Sequence, residues 1–197
     1  HDMKFKGDNV LTQHFGNGQN GEYRRMTDAQ RAAWDAAYQP RNEAFLRQAQ
    51  AGELTDKEIT QWKYQRYIKD YLRCIQAVDD SVGSLLEYLD ESGLAEDTIV
   101  IYSSDQGFYL GEHGWYDKRW RFEESLWMPF LIRWPGVIMP GVDSQALIQN
   151  IDYAPTFLDV AGAEIPGEIQ GRSMVDMLHN QGKPSATWRD AIYYAYY

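Results

Sequence analysis

From Ile59 onward, apolar residues recur at helical spacing through Trp62, Ile68, Leu72, Ile75, Val78, Val82, Leu85, Leu86 and Leu89, until Gly93 interrupts them. Side chains three and four positions apart share one face of a helix, so this stripe predicts one long amphipathic helix packed on a sheet. Thr55 and Glu58 stand where a capping box would start it. Upstream, Thr27 and Gln30 form a second such pair, predicting a helix through about Tyr38. Pro40 is expected to end that helix and to begin another, which Gly52 stops. Residues 6–25, rich in Gly, Asn and Gln, read as an irregular loop.

Downstream the period changes. Thr98 to Ser103 is a continuous apolar run and predicts a buried strand. Glu123 to Trp127 reads as a short helical turn, and Phe130 to Trp134 as a second strand. Pro135-Gly136 and Pro140-Gly141 bracket a turn-rich connection. Asp152 is expected to cap a helix through Val160, aided by Pro155, and Met174 to His179 reads as a further short helix. Strands alternating with helices predict an α/β fold whose sheet is mainly parallel and covered by helices on both faces.

The β-branched run stops abruptly at Asp105, where an α/β sheet places its ligand-binding groups. Asp105 and Gln106 offer hard oxygen donors suited to Ca²⁺ or Mg²⁺. Lys118, thirteen residues beyond Asp105, offers a point charge for an anion. A metal and a cation beside a strand end suit a phosphate- or sulfate-like group. Each residue also has a plainer explanation: Asp105 as a turn cap, Gln106 bonded to loop backbone, Lys118 as a solvated surface lysine.

These residues carry a resemblance. Ser104-Asp105-Gln106-Gly107, Leu110-Gly111-Glu112-His113-Gly114, Lys118, Met128-Pro129-Phe130-Leu131-Ile132-Arg133-Trp134-Pro135-Gly136 and Asn150-Ile151-Asp152-Tyr153-Ala154-Pro155-Thr156 follow one another in an order that resembles the sulfatase family of the alkaline phosphatase superfamily. The helix carrying Val78-Asp79-Asp80-Ser81-Val82-Gly83 completes the pattern, which runs from about Trp62 to the C-terminus. The resemblance implies an alkaline-phosphatase-like sheet, a Ca²⁺ (or Mg²⁺) held partly by Asp105 and Gln106, and Lys118 as the catalytic contact to a sulfate ester. Gln106 stands where the family commonly has His or Asn, and it looks most like the bacterial branch acting on 6-O-sulfated N-acetylglucosamine. It further implies sulfated glycans as substrates and a periplasmic or secreted location.

One family feature has no counterpart. Sulfatases form a formylglycine nucleophile from a Cys-x-Pro-Ser/Ala-Arg motif or its serine equivalent. The single cysteine, Cys74, reads Arg73-Cys74-Ile75-Gln76-Ala77 and does not match. It lies on the apolar stripe, where a free cysteine acts as a small hydrophobe. The formylglycine and the first metal aspartates are therefore expected upstream of this chain, which alone should not turn over sulfate esters. A first residue other than methionine and the strand-like Ala191–Tyr197 run also suggest a piece of a longer protein. The expected divisions are an irregular and helical insertion at 1–55, the C-terminal half of a catalytic domain at 56–190, and the start of a further subdomain at 191–197.

Composition narrows the partners. A net charge of −10 argues against nucleic acid, and no apolar stretch approaches a membrane span. One cysteine excludes an internal disulfide framework. His113 reads as a loop-structuring residue, Asp79 and Asp80 as helical surface charge, and His1 and His14 receive no role. Arg119 and Arg121 suit either an anionic glycan or pairing with Asp117, Glu123 and Glu124. Trp115 and Tyr116 suit either sugar stacking or loop packing. Two alternatives stand beside sulfatase: a phosphonate or phosphodiester hydrolase of the same superfamily, and a noncatalytic domain that self-associates through exposed sheet edges.

Overall fold

A computed structural model of the chain describes residues 21–194. His1, His14, the expected loop at 6–20 and the last three residues of the aromatic terminal run lie outside the described residues. The elements in chain order are α1 (Gly21–Arg25), α2 (Asp28–Gln50), α3 (Asp56–Glu91), a 3-10 turn (Ala95–Asp97), β1 (Val100–Ser103), β2 (Tyr109–Leu110), a second 3-10 turn (Glu112–Gly114) and β3 (Tyr116–Asp117). There follow α4 (Glu123–Leu126), β4 (Phe130–Arg133), a third 3-10 turn (Asn150–Asp152), α5 (Tyr153–Val160) and α6 (Val175–His179). They fall into two compact units. Among the described residues, one holds 21–81 and 109–117, the other 82–108 and 118–194.

In the first unit both capping boxes form as the local sequence predicts. The Thr27 N–H donates to Gln30 Oε1 at 2.8 Å, and the Thr55 N–H donates to Glu58 Oε2 at 2.8 Å. Each pair satisfies backbone donors that a helix start leaves open. Gly52, at φ 71°, takes the left-handed turn that ends α2, and Gly93 at φ 70° does the same after α3.

Pro40 does not end its helix; α2 runs through it from Asp28 to Gln50. Contacts with α3 on both sides of the proline explain why. Tyr38 Oη donates to Asp70 Oδ1 at 2.8 Å, Arg66 Nη1 donates to Asn42 Oδ1 at 2.7 Å, and Phe45 stacks on Trp62 with ring centroids 3.9 Å apart. Packing against one partner helix overrides the local penalty of the missing N–H. Residues 21–25, expected as loop, form α1, and Tyr23 Oη donates to Asp35 Oδ2 at 2.8 Å to hold it beside α2.

The stripe on α3 is partly uncovered from Leu72 onward, although Leu89 near its end is buried. Leu72 is 55%, Ile75 44% and Val78 42% exposed, and Cys74 is exposed rather than buried in a core. The period predicts which face is apolar but not what lies against it.

The second unit is built on β1 and β4, which pair antiparallel in the register Val100↔Arg133 through Ser103↔Phe130. The expected parallel pairing does not form here. Between these strands stand only short elements, and α4, with four residues, is too short to act as a crossover helix. Strand β1 is half-buried along its length rather than fully buried. Met174, Met177 and Leu178, at and inside α6, form the core, with Phe130, Ile132, Trp134, Tyr153 and Trp188 packed on them. Residues 191–194 form no strand.

Asp152 does not cap α5 through its side chain. It is fully buried and accepts the backbone N–H groups of Gln149 and Arg172, each at 2.8 Å, together with the guanidinium of Arg189. Burial pushes its carboxyl upward; the bonds from Arg189, Arg172 and Gln149 outweigh that and hold it below the ordinary 3.8.

Candidate functional site

Strand β1 delivers Asp105 to an exposed position two residues beyond its last residue, Ser103. The strand end is anchored. Ser103 Oγ donates to the carbonyl of Pro129 at 2.9 Å and lies 2.6 Å from the Tyr153 hydroxyl. Ser104 Oγ then donates to the Gln106 carbonyl at 2.9 Å and accepts the Gln106 N–H at 3.5 Å. This side-chain-to-backbone turn leaves the Asp105 carboxylate in solvent and Gln106 half-buried.

Gly107 closes the turn. Its N–H donates to the carbonyl of Ser125 in α4 at 2.9 Å, and a Cβ placed on it would stand 2.1 Å from the carbonyl oxygen of Glu124. Only glycine permits backbone to approach that closely. The oxygen-bearing turn is thereby fixed against α4 at its third residue.

Lys118 belongs to the same unit as Asp105 and Gln106 and is half-buried. The backbone on either side of it is unusual, with Asp117 at φ 77° and Arg119 at φ 127°. Arg119 is held from two sides: its N–H donates to Ser125 Oγ at 3.4 Å, and its carbonyl accepts from Tyr194 Oη at 2.9 Å. Ser125 therefore touches both the turn after Gln106 and the residue after Lys118. The place of Ser104 directly before Asp105 is a signal that could have marked it as a turn-former; Ser125 carries no sequence signal of this kind.

The Gly111–Gly114 turn lies in the other unit. His113 takes φ 57°, and its ring stands 6.3 Å from Tyr109 and 6.0 Å from Trp115. Tyr109 is fully buried, and Tyr116 meets Tyr67 edge-on at 6.4 Å. His113 and Trp115 thus pack with Tyr109, and Tyr116 packs on Tyr67 of α3. Asp79 and Asp80 lie exposed on α3, with Asp80 accepting from Gln76 at 2.9 Å.

The donor set can be tested against a hard cation. Asp105 supplies an exposed carboxylate and the next residue, Gln106, carries an amide oxygen, donor types that fit part of an oxygen shell. No group of three or more His, Cys, Asp or Glu side chains suited to a metal occurs among the described residues. The pair fits a metal as a partial shell, not as a complete one. No helix among the described residues is long and apolar enough to cross a membrane.

The family model described as N-sulphoglucosamine sulphohydrolase, C-terminal, matches residues 111–197, a segment that includes Lys118 and excludes Asp105 and Gln106. An N-acetylglucosamine-6-O-sulfatase of Bacteroides thetaiotaomicron is 48% identical over 175 residues, covering 89% of this chain and 31% of the relative. The solved structure of BT4656 in complex with its substrate D-glucosamine-2-N,6-O-disulfate superposes with a TM-score of 0.86 at 44% identity, covering 100% of this chain and 40% of that one. The phosphonate monoester hydrolase SpPMH from Silicibacter pomeroyi matches with a TM-score of 0.60 at 32% identity over 64% of this chain and 24% of its own. The chain spans less than half the length of each of these proteins. Similarity at this level places its α/β architecture in the alkaline-phosphatase-like fold: the chain belongs to the sulfatase family, and the part of the family it represents is the C-terminal one.

Proposed function

We propose that the protein carrying this segment hydrolyses sulfate monoesters on sulfated glucosamine glycans, with 6-O-sulfated N-acetylglucosamine as the favoured unit. The observation that carries this reading is the 48% identity to an N-acetylglucosamine-6-O-sulfatase over 89% of the chain. The loop geometry agrees with it: Asp105, Gln106 and Lys118 lie in one unit, in segments tied to the same short helix.

A Ca²⁺ or Mg²⁺ ion, when bound, supplies positive charge that neutralises ester oxygens and favours the ionised nucleophile. Asp105 and Gln106 hold part of its shell. Lys118 contributes a compact charge that binds the sulfate group and opposes the negative charge growing on it as the ester bond breaks. None of the 197 residues forms a Cys-x-Pro-x-Arg or Ser-x-Pro-x-Arg motif, so this segment contributes metal ligands and an anion contact but not the formylglycine. By itself it is inactive in this reading. A periplasmic or secreted location goes with the proposed glycan substrate.

Turnover of an aryl sulfate and of N-acetylglucosamine 6-sulfate by the full-length protein tests this. Asp105→Ala and Lys118→Ala should each reduce kcat/KM by about 10²-fold or more. Wild-type rates from both would sink the assignment. A second reading, phosphonate monoester or phosphodiester hydrolysis, is favoured by the match to the phosphonate monoester hydrolase. A higher kcat/KM on an aryl phosphonate or phosphodiester than on the matched aryl sulfate would decide for it.

A further inference from the structure

Lys118 stands between two non-glycine residues at positive φ, Asp117 at 77° and Arg119 at 127°. L-residues rarely adopt this region, and where they do the surroundings must over-determine it. Two contacts hold the Arg119 backbone: Ser125 Oγ accepts its N–H at 3.4 Å, and Tyr194 Oη donates to its carbonyl at 2.9 Å. The same Ser125 accepts the Gly107 N–H on its own carbonyl at 2.9 Å, one residue after Gln106. Gly107 sits flush against α4, since a Cβ there would stand 2.1 Å from the Glu124 carbonyl oxygen. One residue of α4 is therefore bonded to both chain segments that bear the proposed chemistry, by its backbone to one and by its side chain to the other.

From this arrangement we infer that Ser125 is a positioning residue that sets Lys118 relative to the Asp105–Gln106 pair, with Tyr194 holding the opposite side of Arg119. The inference rests on the roles proposed above for Lys118 and Asp105. Ser125 touches no substrate in this account. It acts through Arg119 on the direction in which Lys118 presents its ammonium group, and a cation aimed wrongly by about 1 Å can cost up to about 10²-fold in rate. The carbonyl contact to Gly107 survives any side-chain substitution at 125, so changing the hydroxyl separates the lysine side of the link from the metal side.

The test is made in the full-length protein, on an aryl sulfate, with thermal midpoints recorded for every variant. Ser125→Ala should lower kcat by about tenfold or more, and Ser125→Thr, which keeps a hydroxyl, should recover most of it. Tyr194→Phe removes one hydroxyl from a residue that is 37% exposed, and it should lower kcat several-fold without affecting folding. Should Ser125→Ala fail to fold, Ser125→Thr and Tyr194→Phe carry the test. The deciding measurement repeats Ser125→Ala and Tyr194→Phe in a Lys118→Ala background, where a residue acting through Lys118 has nothing left to position. No further loss there is the expected result. The same fold-loss in both backgrounds, or wild-type kcat from Ser125→Ala and Tyr194→Phe, overturns the inference while leaving the role of Lys118 intact. Wild-type turnover from Lys118→Ala alone removes the reading beneath it, and the inference falls with that reading.

Discussion

Arg189 grips Asp152 with both terminal nitrogens of its guanidinium, Nη1 on Oδ2 and Nη2 on Oδ1, the latter at 2.7 Å. Asp152 is fully buried and Arg189 is 37 residues further along the chain. A two-pronged bond of this kind ties the segment after α6 to the turn before α5, and the backbone N–H groups of Arg172 and Gln149 complete the carboxylate's shell. Removing Arg189 would strand a buried charge. Arg189→Ala should therefore cost about 3–5 kcal/mol of stability, seen as a lower urea midpoint of the full-length protein. A change below about 1 kcal/mol would mean that water reaches the pair.

The same pair sets a pH dependence. Asp152 is held below its ordinary 3.8, so the folded state releases this proton more readily than the unfolded chain does. Its stabilisation is present above the unfolded value and is lost as pH falls through the folded one. Between pH 5 and 2 the thermal midpoint of wild type should fall more steeply than that of Asp152→Asn. Parallel acid limbs for the two proteins would contradict this.

Gly107 offers a sharper test of the turn that carries Asp105 and Gln106. A methyl group there would meet the Glu124 carbonyl oxygen at 2.1 Å, so Gly107→Ala must push the turn away from α4. Forced overpacking of this kind typically costs about 1–3 kcal/mol. The expected result is at least a tenfold drop in kcat/KM in the full-length protein, with a weaker apparent affinity for the cation proposed to bind Asp105 and Gln106. Activity within twofold of wild type would show that the turn tolerates the shift.

Isolated from the rest of its protein, the 197-residue segment should bind Ca²⁺ weakly. Ca²⁺ takes about six to eight oxygen ligands, and tight sites combine several carboxylates. Asp105 and Gln106 bring one carboxylate and one amide, and no cluster of three acidic or other metal-binding side chains stands among the described residues. Calorimetry should give a dissociation constant of about 10⁻⁴ M or weaker. Micromolar binding abolished by Asp105→Ala would show that the half-shell suffices.

The isolated segment should also self-associate. Leu72, Ile75 and Val78 line an exposed stripe on α3, and Leu131 on β4 is 65% exposed. Apolar area left in water favours association. Sedimentation should show species larger than 22.9 kDa that grow with concentration. A monomer at every concentration would refute it.

Features held by neighbours in sequence were legible without coordinates. The pairs Thr27–Gln30 and Thr55–Glu58, the stops at Gly52 and Gly93, the 3.6-residue period of α3 and the strand ending before Asp105 all involve residues within a few positions of one another. Their geometry follows from local hydrogen bonding and side-chain spacing. The order of the motifs around Asp105 and Lys118 likewise pointed to the sulfatase family before any coordinates.

Tertiary structure decided the rest, because the deciding partners are distant in the chain. Pro40 stays inside α2 because Tyr38, Asn42 and Phe45 all meet α3. Asp152 turns from helix cap to buried anion because Arg189 reaches it. Strands β1 and β4 pair antiparallel, which no period along either strand encodes. Ser125 gained its place between Gly107 and Arg119 in the same way: a serine in a short helix is locally unremarked, and only the folded chain brings two loops to its carbonyl and its hydroxyl. Local sequence determines which groups a residue offers and which way a short element turns; long-range packing determines which of those groups meet, since the free energy of burial and of satisfied polar groups is shared across residues far apart in the chain.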